Sequence, residues 1–511
     1  MKPLYIVCLM FSFLLSGCLS LPSLEGRTVS TYLDIPPSSR LADTLNPLST
    51  EKDGLKEGIS GIYMLDDAHD AFVARATLID SAEHTLDLQY YIWHNDVSGK
   101  ILFNMLHRAA ERGVRIRLLL DDNNTNGLDH VLAALDSHAN IEVRLFNPFL
   151  NRRWRSLGYL TDFPRLNRRM HNKSLTADNQ ATILGGRNIG DEYFNISADT
   201  SFSDLDILAT GSVVTEVSQD FDRYWASDSA YPFDRIVRRG KVEEGFAELV
   251  IDDNEKKTVL ARYYNDLTDS KLFKAIKNKQ VDWRYVKAML VSDDPGKALD
   301  RARHKPQISE KLDEALGSPE QEIYLVSPYF VPTKEGTRAV AELVEHGVEV
   351  TVLTNSLQAT DVAAVHSGYA RYRKPLLQSG IHLYELKANH AVPRSKDRGL
   401  TGSSSTSLHA KTFIVDKQRV FIGSFNLDPR SARLNTEMGV VIESPGLAET
   451  MQQTLERTTP QYAYKVTLDK HHKLQWRDPE DGEVSNKEPE AGFWKRLTVK
   501  ILSVLPIEKL L

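Results

Sequence analysis

"RMHNKSLTADNQATILGGRN" spans residues 169–188, and "SLHAKTFIVDKQRVFIGSFN" spans 407–426. Each carries a His, a Lys two residues on, an Asp five beyond that, then Gly and Asn at matching distances. In an extended strand, residues two apart point to the same face. "MHNKSL" and "LHAKTF" therefore read as strands that project His171 beside Lys173 and His409 beside Lys411. A neutral imidazole attacks phosphorus, an imidazolium protonates a leaving alkoxide, and an ammonium neutralises phosphate oxygens. One phosphodiester exchange needs both histidine roles, so each copy would supply half of a single site.

The repetition extends beyond the motifs. "TLDLQYYIW" (85–93), a helical stretch from Gly99 to Arg112 and "GVRIRLLLDD" (113–122) return as "EIYLVSPYF" (322–330), a helical stretch through His346 and "GVEVTVLTNS" (347–356). "HVLAALDSHANIEVRLF" (130–146) likewise matches "KPLLQSGIHLYEL" (374–386). A near-constant offset means duplication. Alternating strand and helix predicts an α/β sandwich in each half, at 61–240 and 301–470, related by a pseudo-twofold axis and sharing one active site. The polar 241–300, helical in pattern, reads as the connector.

The chain has 511 residues, 41% hydrophobic and 26% charged, enough to bury more than one core. Its net charge of -6 argues against a general nucleic-acid binder, in which phosphate contacts demand a strongly basic domain. Nucleic acid is not an expected partner.

The N-terminus reads as an address. Met1-Lys2 is followed by the apolar run Ile6–Leu15, too short to span a bilayer, and then by Leu15-Ser16-Gly17-Cys18. This resembles a bacterial lipobox, which implies a signal peptide at 1–17, cleavage before Cys18 and lipidation there. The expected place is the bacterial cell envelope, facing the periplasm, with Leu19 favouring the outer membrane. Cys8 would leave with the signal and lipid would occupy Cys18, so no disulfide is expected. Ser, Pro and Leu without steady periodicity make 18–60 a tether to the body.

The paired motifs resemble those of the phospholipase D superfamily, whose signature is HxKxxxxD with a downstream Gly-Ser or Gly-Gly and Asn. The matching positions are His171, Lys173, Asp178, Gly185, Gly186 and Asn188 in one half, and His409, Lys411, Asp416, Gly423, Ser424 and Asn426 in the other. The resemblance implies that His171 is the nucleophile, forming a phosphohistidine, and that His409 is the acid that later activates the acceptor. It implies that Lys173, Lys411, Asn188 and Asn426 hold the phosphate, with a hydroxyl from Ser424 whose counterpart Gly186 has none. The family also places a carboxylate behind each histidine. Asp204 follows His171 in its half and Glu437 follows His409 in the other, with Asp206 as the rival to Asp204. Asp178 and Asp416 belong to the motif and read as structural, closing the turn after each strand. No cofactor is implied. Zinc is disfavoured because the mature chain lacks Cys clusters and HExxH, and a Lys beside each His opposes a cation.

Over roughly residues 60–470, with "GGRNIGDEYF", "FSDLDILATG" and "YARYRKPLLQSGIHLYEL", and in the terminal "LSVLPIEKLL", the resemblance is closest to bacterial cardiolipin synthases of the C type. It implies transfer of a phosphatidyl group between membrane phospholipids, with phosphatidylglycerol as acceptor and one chain forming the whole site. A lipobox departs from the inner-membrane setting of biosynthetic members. A phospholipase D-type hydrolase, a nuclease or other phosphodiesterase, and a lipid-binding pseudoenzyme remain the alternatives.

Three segments bear on the substrate. "NRRWRSLGYLTDFPRLNRRMH" holds Arg152, Arg153, Arg155, Arg165, Arg168 and Arg169 among aromatics, which suits anionic headgroups or a solvated basic loop. "KANHAVPRSKDRGLTGSSSTS" (387–407) reads as a mobile flap. In the tail, 471–511, Trp494, Leu497, Ile501 and Leu505 recur at helical spacing with Lys495, Arg496 and Lys500 interleaved. That pattern fits a helix lying on an anionic membrane surface or packed on the body.

Overall fold

A computed structural model describes residues 20–34, 39–45, 58–196, 201–237, 242–249, 270–388, 406–505 and 508. The lipobox with Cys18, and most of the expected flap, lie outside these residues.

The strands of the first half are β1 (Ile59–Leu65), β2 (Thr85–Tyr90), β3 (Arg115–Asp121), β4 (Ile141–Phe146), β5 (Ser174–Ala177), β6 (Ala181–Gly185), β7 (Ser201–Ser203), β8 (Asp206–Gly211) and β9 (Ala230–Pro232). Then come β10 (Arg284–Ser292), β11 (Glu322–Val326), β12 (Glu349–Asn355), β13 (His382–Leu386), β14 (Thr406–Leu408), β15 (Thr412–Val415), β16 (Arg419–Gly423), β17 (Met438–Glu443), β18 (Ala463–Leu468), β19 (Leu474–Arg477) and β20 (Val484–Ser485).

Pairing joins all but β7 and β14 into one sheet. The first half contributes the order β9-β4-β3-β2-β5-β6-β8-β1. The second contributes β10-β17-β16-β15-β11-β12-β13-β18-β19-β20. The two orders mirror each other across the antiparallel β1–β10 seam, where the pseudo-twofold axis lies. β2, β3 and β4 are parallel, and β2 and β3 are almost entirely buried. β3 accordingly reads as a near-continuous apolar run, as in parallel strands covered on both faces, and the buried Asp87 of β2 is paired with Arg117 at 2.7 Å.

Two sequence expectations need correction. Among the described residues of the polar stretch 241–300, the helices Val242–Leu249 and Lys271–Lys277 are followed by β10, so a helical connector does not account for all of it. β10 pairs with β1 on one side and β17 on the other, so it belongs to the second half's sheet and forms the seam. Arg284 and Lys287, three residues apart and so on opposite faces, break the period-2 alternation of "RYVKAMLVS". Nor is the tether free of the body throughout. Arg117 donates to the Ser30 carbonyl at 2.9 Å, the Tyr32 amide donates to Asp222 at 2.8 Å, and Arg27 donates to the Ser227 carbonyl at 2.6 Å. Residues 20–34 thus run along the first half before the chain enters the fold.

Candidate functional site

The site forms where the ends of the two motif strands meet. His171 precedes β5, and its amide donates to the Thr436 carbonyl at 2.9 Å. His409 follows β14, and its amide donates to the Ser203 carbonyl at 2.8 Å. β14 pairs in parallel with β7, Leu408 opposite Ser203, and Met170 bridges in parallel to Thr436. Each motif is therefore laced to the segment of the other half that carries a carboxylate.

The consequence is a crossed arrangement. Nδ1 of His171 lies 2.8 Å from Oε2 of Glu437, and Nδ1 of His409 lies 2.5 Å from Oδ2 of Asp204. The sequence reading grouped Asp204 with His171 and Glu437 with His409 by proximity along the chain; the structure exchanges the partners. Asp206, the rival, takes a different part: it pairs with Arg75 at 2.9 Å and accepts from the Arg187 amide. In both histidines the Nδ1–carboxylate contact leaves Nε2 as the free nitrogen.

The remaining motif residues divide into two groups. Lys173 and Lys411 are buried, each Nζ donating to the carbonyl of its own histidine. Lys173 also sits 5.4 Å from the centre of the Tyr91 ring. Ser424 donates from Oγ to Glu437 and accepts from the Met438 amide, so it positions the carboxylate. Gly186 stands at the equivalent place because a Cβ there would lie 2.0 Å from Asp204 Oδ1. Asn188 accepts from the Ile92 amide and donates to the Tyr193 hydroxyl. Asn426 keeps a buried Oδ1 without a hydrogen-bond partner.

Asp178 and Asp416 stand apart from this cluster. Asp178 accepts from the amides of Glu83, His84 and Thr85, and Asp416 from those of Glu320, Gln321 and Glu322. Each lies in the left-handed region, with φ of 50° and 51°, and ties the turn after its motif strand to the start of β2 or β11.

Aromatic residues complete the walls. Tyr91 packs edge-on against His171 with centroids 4.9 Å apart, and Tyr193 and Phe202 flank His409 at 5.3 and 5.1 Å. Sequence reasoning did not single these out. Their only signal was position, Tyr91 immediately after β2 and Tyr193 five residues past Asn188.

Electrostatics separate the two pairs. Burial, then Lys173 and Lys411, hold the His171 ring well below the usual imidazole range, so it is neutral. Burial and Lys411 also lower His409, with Asp204 opposing. Burial would raise Asp204, but His409 and Lys411 outweigh it and keep that carboxyl well below the usual range. Glu437 moves the other way: burial pushes it up to about 7, despite Lys173 and the Ser424 hydroxyl. Burial likewise lowers both lysines. An incoming phosphate anion would supply the negative charge these buried cations lack.

The arginine-rich segment before the first motif is mostly engaged internally. Arg152 pairs with Asp122 and Asp129, Arg169 with Asp121, Arg165 with Asp162 and Arg168 with Asp300. Asp121 ends β3 by accepting from the Met170 amide, one residue before the nucleophile candidate. The segment's exposed character comes instead from Trp154 and Leu160, 57% and 81% exposed.

The family model for the cardiolipin synthase, phospholipase D-like domain matches this chain twice, at residues 76–225 and 312–459. The chain is 46% identical to cardiolipin synthase C of Escherichia coli over 92% of its own length and 100% of that protein. It is 24% identical to cardiolipin synthase A of Pseudomonas entomophila over 81% of its own length and 72% of the relative. Among solved structures, phosphatidylserine synthase of Haemophilus influenzae shares the fold, with a TM-score of 0.56, 13% identity and coverage of 88% of this chain and 95% of that one. With both histidines, both lysines and two crossed carboxylates in one cleft, the chain belongs to the phospholipase D superfamily, in its cardiolipin synthase family and of the C type.

Proposed function

We propose that the protein is a phosphatidyltransferase that makes cardiolipin by moving a phosphatidyl group from a donor phospholipid to the hydroxyl of phosphatidylglycerol. The observation that carries this reading is the crossed pair of His–carboxylate contacts, which turns both histidines into one site with an Nε2 free on each. Similarity to cardiolipin synthases over nearly the whole chain supplies the substrate class.

In the first step Nε2 of neutral His171 attacks phosphorus, and the bond to the departing headgroup oxygen breaks. His409, charged once the donor's phosphate offsets the burial and the Lys411 charge that lower it, gives its proton to that oxygen. Asp204 stabilises the charged ring while it lasts, and Glu437 holds His171 in the tautomer whose lone pair lies on Nε2. In the second step the acceptor hydroxyl passes its proton to His409 and attacks phosphorus, and the P–N bond breaks to restore His171. Lys173 and Lys411 offer positive charge to the phosphate oxygens, and the unpartnered Oδ1 of Asn426 offers an acceptor to a hydroxyl beside them.

The reading places the protein at a membrane of the bacterial envelope, lipid-anchored at Cys18, with one chain sufficient for activity. Exposed apolar groups border the cleft on both sides in its support. Tyr159, on the helix Arg155–Thr161 with Leu157 and Leu160, donates to Asn123, while Asn124 donates to the Tyr91 carbonyl beside His171. On the other side Lys495, beside the 75%-exposed Trp494, donates to the Gln358 carbonyl on the loop of Asp361, whose charge acts on Lys411. Interfacial tryptophans and cations suit an anionic lipid surface. The purified protein in vesicles of phosphatidylglycerol and phosphatidylethanolamine, followed by lipid mass spectrometry, should yield cardiolipin as main product. Phosphatidic acid alone would make it a hydrolase instead.

A further inference from the structure

The two halves obey the pseudo-twofold closely in backbone pairing but differ in what fills one matched position. In the first half Leu119, Phe146, Met170, Phe221, Tyr224 and Trp225 close into a solid cluster. Ala298, on the turn Pro295–Leu299, plugs it from the other half, and Tyr224 donates to the Asp293 carbonyl to latch that turn.

Strand register identifies the counterparts. Phe146 on β4 opposes Ala230, and Leu386 on β13 opposes Ala463. Asp121 pairs with Phe146 as Asn355 pairs with Leu386, which matches Leu119 to Leu353. Met170 precedes His171 as Leu408 precedes His409. The helix Pro445–Tyr462 buries Leu447, Ala448 and Gln452 where Ser212–Trp225 buries Val213, Val214 and Ser218, and the same spacing sets Leu455, Thr458 and Thr459 at the places of Phe221, Tyr224 and Trp225. Three aromatic rings are replaced by a Leu and two Thr. Among the described residues, β1 runs from Leu65 into Asp66, Asp67 and the helix Ala68–Ser81 with no turn like Pro295–Leu299 between.

The position is accordingly open. A groove of about 870 Å³ runs between β1 and the helix Pro445–Tyr462, with Ile62, Met64, Leu353, Leu386, Met451 and Leu455 among its walls. Its volume is that of a small-ligand site, roughly 300–1,000 Å³. Its upper end is made by Phe202, Leu408 and Asp204: the ring beside His409, the residue before His409 and the residue whose fully buried carboxylate meets His409 Nδ1. The groove thus begins directly behind the histidine that serves the leaving group and the acceptor, while the equivalent space behind His171 is filled.

We infer that this groove binds an acyl chain of the acceptor phospholipid and so selects a lipid hydroxyl over water on the His409 side. The inference rests on the transferase reading above and adds to it the structural basis of acceptor choice. Its apolar walls take up a hydrocarbon chain, which water and a free polar alcohol lack, while Asp66, Arg284, Thr454 and Thr458 add polar groups to the lining. A chain gains about fourfold in binding for each methylene it buries.

The test uses phosphatidylglycerol carrying a photoreactive diazirine near one chain end, irradiated with the full-length protein in vesicles. Labelling of residues 447–462 or 62–64 is the expected result, and labelling confined to the exposed helices 155–161 and 493–502 would overturn the inference. Leu455→Trp and Met451→Trp fill the groove. Each should reduce transfer to phosphatidylglycerol at least tenfold more than transfer to soluble glycerol, measured with the same phosphatidylethanolamine donor. An equal loss of both products, or none, would also overturn it. Wild-type protein that labels in the groove yet forms no transfer product would sink the functional reading while leaving the groove a lipid site.

Discussion

His171 and Glu437, 266 residues apart in the chain, lie 2.8 Å apart across the junction of the two halves. His409 and Asp204 repeat the contact from the opposite side. Neither half contains a complete histidine–carboxylate pair, so the duplication yields one site and not two. Glu437→Gln and Asp204→Asn should each leave the fold intact while lowering kcat by about 10²–10⁴, because the amide no longer enforces the productive tautomer or stabilises the charged ring. Steady-state rates with a fluorescent phosphatidylethanolamine donor and phosphatidylglycerol as acceptor give the comparison; a rate within threefold of wild type in either variant would contradict the crossed pairing.

The raised carboxyl of Glu437 makes a prediction about pH. Above about 7 it is ionised and accepts from Nδ1 of His171; below that it holds a proton, Nδ1 becomes the acceptor, and Nε2 loses its lone pair to a proton. The kcat/KM profile should therefore fall as pH drops through about 7. Ser424 donates to Glu437 and helps to lower its pKa. In Ser424→Ala the acid limb should move to higher pH, whereas an unmoved limb would remove Glu437 as its cause.

Gly186 is a steric prediction. A Cβ there would meet Asp204 Oδ1 at 2.0 Å, so Gly186→Ala must push the carboxylate from His409. Activity should drop at least a hundredfold, even though the substitution adds one methyl group and Ser424 occupies the matching position in the other half. Wild-type rates in this variant would show that the two sides of the site tolerate the same residue.

Asp178 and Asp416 should matter for stability first. Each accepts three backbone amides at the start of a core strand. Replacing either by Ala leaves donors without partners, at a cost of about 2–3 kcal/mol, with the larger effect at the buried Asp178. Chemical denaturation of the two variants at neutral pH checks the size and the order.

Much of this was legible in the residues. The doubled motif and the offset repeat identify two α/β halves and place His171, Lys173, His409 and Lys411 at the centre, although these residues lie just before β5 and β15 and not within the strands expected for them. The crossing of Glu437 and Asp204 was not legible, since both choices of partner satisfy the same local spacing and only the lacing of Met170 to Thr436 and of Leu408 to Ser203 decides between them. The arginines at 152–169 misled for a related reason. Composition shows their charge but not Asp121, Asp122 and Asp129 waiting on neighbouring elements. β10 was hidden by Arg284 and Lys287, which break its alternation, and the aromatic walls Tyr91, Tyr193 and Phe202 carry no motif of their own.

Of the two expectations for the tail, the structure shows packing on the body by the helix Phe493–Leu502. Val499 is buried against the body, while Phe493, Trp494 and Ile501 face outward. Trp494→Ala and Trp154→Ala should each weaken binding to anionic vesicles about tenfold in sedimentation, since a tryptophan buried at the interface is worth on the order of 1.5 kcal/mol. Unchanged binding in the double variant would assign the two ridges to some other contact.

The central claim is that one phosphohistidine, on His171, carries the phosphatidyl group between the two halves of the site. Phosphatidyl-p-nitrophenol labelled in its phosphate, whose leaving group needs no acid, mixed with His409→Ala protein, quenched in alkali and mapped by peptide mass spectrometry, tests it most directly. The account predicts a phosphatidyl adduct on His171 that accumulates because its resolving base is gone, and no adduct in His171→Ala. An adduct on His409 in the His171→Ala protein, or turnover in either variant near the wild-type rate, would contradict it.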